Sequence, residues 1–350
     1  MNTASITKLD GATGRSEVLV TCLCASRPAA MASCTARRIP VVCQHSFGPI
    51  RLVSVVSNGM TETSMSANSA HSAGSHVSPM RALIVASHPG PTLVITALVT
   101  ALTAHAAPNG IGPVLAAPAI LAGQFSVGWS NDACDAARDL AAGRTDKPVA
   151  RGEISVRAVW IAAFSALAIA AILSLLIGPR WLLINTVMVG AAWAYNLGLK
   201  STWASGLMFL VGFAPLPAFA TSTLPGQPWP TWQVTAAAGC LGLGTHFANV
   251  LPDLAADQIT GVKGLPQIVA ARWGALAVRA VAIALLLVAS ALLLLAAIPS
   301  RRWVSAAGLA ASAILAIIGF RGSGKMPFFC ALGIAAVDVA LFLAGSEALT

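Results

Sequence analysis

From about residue 90 to residue 344 the chain is a succession of apolar runs, each near twenty residues long and almost free of acidic side chains. A helix of about 20 residues, rising about 1.5 Å per residue, is what crosses about 30 Å of hydrocarbon. Nine such runs read as spans, at about 90–107, 112–130, 157–178, 181–198, 203–222, 233–251, 275–298, 303–320 and 327–344. Composition agrees with this reading. Of 350 residues 57% are hydrophobic and 9% charged, with mean hydropathy +0.78. A soluble domain carries roughly 25% charged residues to cover its surface. The expected fold class is therefore an all-α, multi-pass membrane protein with nine transmembrane helices.

The net charge of +9 does not point to nucleic acid, because the basic residues form no dense patch and fall mostly between apolar runs. There they set topology. The loops after spans two, four, six and eight, with the helix ends they join, hold Arg138, Arg144, Lys147, Arg151, Arg157, Lys200, Lys263, Arg272, Arg279, Arg321 and Lys325. The opposite loops hold Arg180, Arg301 and Arg302. The positive-inside rule puts loops 130–156, 199–202, 252–274 and 321–326 in the cytoplasm with the N-terminus, in what reads as a bacterial plasma membrane.

Residues 1–79 are rich in Ser, Ala and Thr and have no run long enough to span. They lack the sequence of basic start, apolar stretch and small-residue cleavage site that marks a secretory signal. The expectation is a disordered extension, or a misplaced start with the working protein beginning at Met80, and a membrane domain over 80–350. Of the seven cysteines, Cys22 and Cys24 have the wrong spacing for a zinc knuckle, and no His pair follows.

The acids are few and concentrated. Asp132, Asp135, Asp139, Asp146 and Glu153 follow span two, and Asp253 and Asp257 follow span six. Acids at the membrane edge are expensive and mark function. Asn131-Asp132-x-x-Asp135-x-x-x-Asp139 stacks its polar side chains along one helical stripe, at about 100° per residue. Asn249-x-x-x-Asp253-x-x-x-Asp257 does the same on a second helix. Like charges at i,i+4 repel, so cations must compensate. Hard oxygen donors at this density suit Mg²⁺, which takes one or two carboxylates plus substrate phosphate oxygens. Such acids could instead cap helices, but these stand at C-terminal ends, where the dipole disfavours them. Arg144, Lys147, Lys200 and Lys263 stand beside the motifs and suit a diphosphate. Asp338 lies alone in span nine and reads as an interhelical hydrogen-bonding residue. His246, one turn before Asn249, reads as a core histidine.

At this point the sequence resembles the UbiA-type intramembrane prenyltransferases. The likeness rests on Asn131-Asp132-x-x-Asp135-x-x-x-Asp139, on Arg144-Thr145-x-Lys147-Pro148-x-x-x-Gly152-x-Ile154-Ser155, and on Asn249-x-x-x-Asp253-x-x-x-Asp257-x-x-x-Gly261-Val262-Lys263. It covers about residues 80–345. It implies a UbiA-like bundle in which the two motifs face each other and hold a prenyl diphosphate through Mg²⁺. The prenyl group then passes to an aromatic or other lipophilic acceptor, in quinone-type or specialised lipid biosynthesis. By position, Asp132, Asp135, Asp253 and Asp257 would be catalytic. Asn131 would join them at the metal with Asp139 in support. Asn131, Arg144, Lys147, Lys200 and Lys263 would hold the diphosphate. Lys147-Pro148 stands where the family most often has Arg-Pro, which keeps the charge and loses the bidentate fork. Leu251-Pro252 precede Asp253 where the quinone branch often has Arg. Gly264 stands where Thr or Ser is usual.

Two rival readings are weaker. A CDP-alcohol phosphotransferase needs Asp-Gly before Ala137-Arg138, and that pair is absent. A secondary transporter would explain the Gly212–Pro217 interruption of span five, but it calls for acids at the midplane rather than at the edge.

Overall fold

The computed structural model of the protein describes residues 4–10, 16–22, 78–107, 109–141, 143–252, 254, 257, 262–297 and 302–344. The chain divides into two units, Met1–Ala73 and Gly74–Thr350. In the first, β1 (Ala4–Asp10) and β2 (Ser16–Cys22) pair antiparallel, with Ala4 opposite Cys22 and Asp10 opposite Ser16. Ile6, Thr7, Val18, Val20 and Thr21 are β-branched and favour extended backbone.

The second unit is helical in all its described elements. They are α1 (Pro79–Ala86), α2 (Pro89–Ala106), α3 (Ile111–Ala141), α4 (Val156–Ile177) and α5 (Pro179–Asn196). After a 3₁₀ turn at Leu199–Ser201 come α6 (Ser205–Phe213), α7 (Leu216–Thr221) and α8 (Trp232–Val250). The last are α9 (Leu265–Ala296), α10 (Arg302–Arg321) and α11 (Met326–Ala344). Among the described residues, helix stands at each expected span. Five helices, α2, α3, α4, α9 and α10, are long and apolar enough by length and composition to cross a membrane.

The packing is that of helices in lipid. On α4, Ala163, Ala166, Ala170 and Ser174 recur at i+3 and i+4 and are buried, with α3 the neighbour α4 packs against most extensively. Ile161, Phe164, Ile169, Ile172 and Leu176 of the same helix face outward. Small residues inward and large apolar ones outward is the reverse of a soluble helix, and it lets backbones approach closely.

Two expected boundaries are corrected. The expected loop 130–156 begins later: α3 runs on to Ala141, so Asn131–Asp139 is helical, as its i,i+4 spacing implies. At ~1.5 Å per residue α3 is ~46 Å long, and its last three turns outreach ~30 Å of hydrocarbon. The expected loop 252–274 is partly helix as well. The segment assigned to α9 begins at Leu265 and is interrupted at Gly274 (φ 81°, ψ 169°), where two helices meet at a kink. Span five is broken between Phe213 and Leu216, at Ala214-Pro215, because proline at 215 withholds a backbone donor.

Candidate active site

The site begins where α1 turns into α2. Ser87 and His88 form that turn, with His88 in the left-handed region (φ 53°, ψ 65°) and Pro89 opening α2. The Thr92 hydroxyl donates to the Ser87 carbonyl at 2.8 Å, and the Ser87 hydroxyl to the Ile84 carbonyl at 2.7 Å. Trp129 Nε1 donates to the Leu83 carbonyl at 2.8 Å and ties the turn to α3. The turn crosses α3 at Gly128, where a Cβ would stand 2.7 Å from the Ser87 carbonyl carbon. Only glycine admits so close a crossing. Gly128→Ala is expected to push the turn off α3, move His88, and cut turnover roughly tenfold to hundredfold, the scale of a ~1 Å misplacement. Turnover measured beside thermal unfolding checks this, and full turnover in a folded variant would refute it.

The acids of α3 are buried, and Asp132 and Asp135 are already paired with cations. Asp132 is 1% exposed, and Asp135 and Asp139 are buried beside it. Lys147 Nζ lies 2.5 Å from Asp132 Oδ1 and 3.0 Å from His88 Nε2, which lies 2.9 Å from the same oxygen. Lys147 reaches in because the loop after α3 folds back on itself. Arg144 N donates to the Asp139 carbonyl at 3.0 Å, and Glu153 N to the Pro148 carbonyl at 3.0 Å. Arg144 grips both Asp146 oxygens at 2.8 and 2.7 Å and holds that carboxyl well below the usual carboxylate range. Arg151 pairs with Glu153 and with the Thr145 carbonyl. Lys200 Nζ pairs with Asp135 Oδ1, and Arg138 reaches Asp135 Oδ2 at 2.9 Å.

The second motif is tied to the same corner. Gln267 Nε2 donates to Asp257 Oδ2 at 2.6 Å. The Ser205 hydroxyl accepts from Leu265 N at 2.7 Å and lies 3.1 Å from His246 Nε2. The segment 262–267 thereby docks on the start of α6, beside the 3₁₀ turn that carries Lys200. Gly264 explains itself here, since a Cβ would meet the Lys200 carbonyl oxygen at 2.8 Å. The Thr or Ser expected by resemblance would not fit. Asp253 lies outside the described residues.

A cavity of about 410 Å³ opens between these elements. His88, Asn131, Asn196 and Asn249 give it a polar end, so the first residues of both motifs line one space. Ile95, Val127, Met188, Met208, Phe209 and Phe213 make an apolar wall. Asn131 Nδ2 donates to Asn196 Oδ1 at 3.1 Å, and Asn196 is fixed by the Val127 carbonyl and the Ser130 hydroxyl at 3.0 and 2.9 Å. Tyr195 also lines the cavity and stands in electrostatic range of both Asp135 and Asp257. A polar end beside the ion pairs of Asp132 and Asp135, joined to an apolar chamber of this size, suits a small ligand with a polar head and a hydrocarbon tail.

The sequence model of the UbiA prenyltransferase family matches residues 92–337, more than half of the chain. The chain belongs to the UbiA prenyltransferase family. Among solved structures it is similar to a UbiA homologue from Archaeoglobus fulgidus bound to GPP and Mg²⁺. The identity is 18% and the TM-score 0.57, over 76% of this chain and 99% of that one. The same homologue bound to DMAPP and Mg²⁺ matches at 18% and 0.57, over 76% and 98%. A digeranylgeranylglyceryl phosphate synthase matches at 14% and 0.56, over 77% and 99%. At these identities the likeness is one of fold. No curated protein matches the chain significantly.

Set against this geometry, the expected residues divide. Asn131, Asp132, Asp135, Lys147 and Lys200 come together, and Asp257 is held by Gln267 on the segment that docks beside Lys200. Arg144 engages Asp146 on the loop surface, and Lys263 is exposed. His246 is a buried core residue stacked 4.2 Å from Phe209, and Asp338 accepts from the Ser290 hydroxyl at 3.0 Å. His88, Tyr195, Asn196 and Gln267 escaped the sequence reading. The signal for His88 was its place before Pro89-Gly90-Pro91, a turn abutting the first span; the others resemble ordinary helix residues.

The donor set fits a hard cation. Asp132 Oδ2 is buried with no hydrogen-bond partner among the described residues, a state that costs about 1–3 kcal/mol. Among the described residues no three His, Cys, Asp or Glu side chains gather closely enough to hold a metal alone. Mg²⁺ does not need that, since phosphate oxygens and water complete its shell.

Proposed function

We propose that the protein transfers a prenyl group from a prenyl diphosphate to an aromatic or other lipophilic acceptor, releasing diphosphate. The observation that carries this reading is that one cavity has both Asn131 and Asn249 at its polar end and an apolar depth below. The solved relatives bound to GPP or DMAPP with Mg²⁺ support it. Asp132, Asp135, Asp253 and Asp257, with Asn131 and with Asp139 behind, would hold Mg²⁺, which when bound draws charge from the departing diphosphate. Lys147 and Lys200 now neutralise Asp132 and Asp135, and they stand ready to contact phosphate oxygens instead. Arg144 and Lys263 would add charge at the mouth. The bond between the prenyl carbon and the diphosphate oxygen breaks, and its electrons leave with the diphosphate. An electron-rich acceptor atom bonds that carbon and sheds a proton. Apolar walls keep water from the allylic cation.

The nine helical segments would span the bilayer, the broken α6–α7 pair counting as one, with the site at the cytoplasmic edge. A cysteine at the exposed Thr145 should then react with an impermeant thiol reagent only from the cytoplasmic side, and one at Pro225 only from outside. Reversed labelling would invert the topology. The reaction itself is tested by mass spectrometry of products from purified membranes given Mg²⁺, a series of prenyl diphosphates and a panel of acceptors. Absence of any prenylated product across the panel would count against the reading.

A further inference from the structure

Below the main cavity lies a second, of about 50 Å³. Leu98, Leu102, Val234, Ala237, Ala238 and Asp338 are among its lining residues, on α2, α8 and α11. Leu216 lines both cavities and is 4% exposed. Depth can be counted from the polar end. On α2 at ~1.5 Å per residue, Ile95 of the upper cavity lies ~10 Å below His88, while Leu98 and Leu102 lie ~15 and ~21 Å below it. On α8, counted from Asn249, Leu241, Ala237 and Val234 of the lower cavity lie ~12, ~18 and ~22 Å down. The two spaces are therefore stacked, and Leu216 lies between them.

Leu216 is held there by the break in span five. The helix stops at Phe213 and restarts after Pro215, so Leu216 opens α7 at this level. We propose that Leu216 is the floor of the prenyl-tail pocket and sets the longest prenyl chain the enzyme accepts. This rests on the prenyl-transfer reading above. A tail long enough to reach Leu216 meets a branched side chain packed in a close-packed interior, which does not yield without strain. Removing its three outer carbons joins the chambers. The gain is bounded, because the lower cavity is small and Asp338 stands in its wall, with Oδ2 lacking a partner among the described residues. A hydrocarbon tail gains nothing by pressing on that carboxyl.

The test uses full-length protein in vesicles, a ladder of prenyl diphosphates rising by one isoprene unit, and two readouts, binding of each donor and the length of the prenyl group transferred. Leu216→Ala is expected to raise the longest chain accepted by one unit and to shift the kcat/KM ratio of longer to shorter donors ~tenfold. Adding Ala238→Leu, which refills the lower cavity, should restore the original limit. Leu216→Phe should lower the limit by one unit and decides the matter if the alanine variant does not fold. An unchanged limit in a variant that still transfers prenyl groups overturns the role of Leu216 while leaving the enzyme reading intact. A wild-type protein that neither binds nor transfers any donor on the ladder overturns both.

Discussion

Asp132→Asn is expected to lower prenyl transfer by ~10²–10³-fold, the scale for losing one main electrostatic element of a site. The sequence alone suggests that such a change leaves folding untouched, because it relieves repulsion within an acid cluster. The structure revises that. Asp132 is 1% exposed and paired with Lys147, itself 14% exposed, so the asparagine leaves a largely buried ammonium without its ion-pair partner. Breaking a buried pair by removing one partner costs about 3–5 kcal/mol. Asp132→Asn is therefore expected to unfold at lower temperature as well as to turn over slowly. The double variant Asp132→Asn, Lys147→Met separates the two effects. It should recover much of the stability and none of the activity. Adding Asp257→Asn to Asp132→Asn should cost little more, since groups that serve one bound diphosphate act as a unit. Turnover, thermal unfolding and affinity for a non-hydrolysable prenyl diphosphate analogue are the measurements. Wild-type turnover in the folded single variant would remove Asp132 from the site.

Metal removal should have the largest effect of all. With EDTA in excess, prenyl transfer is expected to fall to background and to return on adding Mg²⁺. In the protein as it stands, Lys147 and Lys200 occupy Asp132 and Asp135, so the carboxylates are not bare. The lysines alone cannot neutralise both the acids and an incoming diphosphate. Binding of the analogue should therefore weaken along with turnover when the metal is removed, which gives a readout independent of catalysis. A transporter reading of the broken fifth span predicts the opposite, since substrate movement need not depend on a divalent cation. Full transfer in EDTA would exclude the metal from the reaction.

Much of this protein was legible in its sequence, for a physical reason. In hydrocarbon a helix must be apolar along its whole length, so a span is written locally in consecutive residues. Helix stands at each position so expected, and even the interruption by Pro215 appears where the sequence puts it. The i,i+4 stacking of Asp135 and Asp139 was legible too, because helix geometry converts spacing into direction. What the tertiary structure alone decided is which cations meet which acids. Lys147 and Lys200 were legible as cations near the motifs, but they lie 15 and 65 residues from the acids they pair with, and spacing does not say which acid each one meets. His88 reaches Asp132 only because Gly128 lets a turn cross α3 at contact distance, a close approach between segments 41 residues apart in the chain that no local pattern encodes. The two cavities and the place of Leu216 between them depend on where several helices leave space, and that is a property of the packing rather than of any one run of residues.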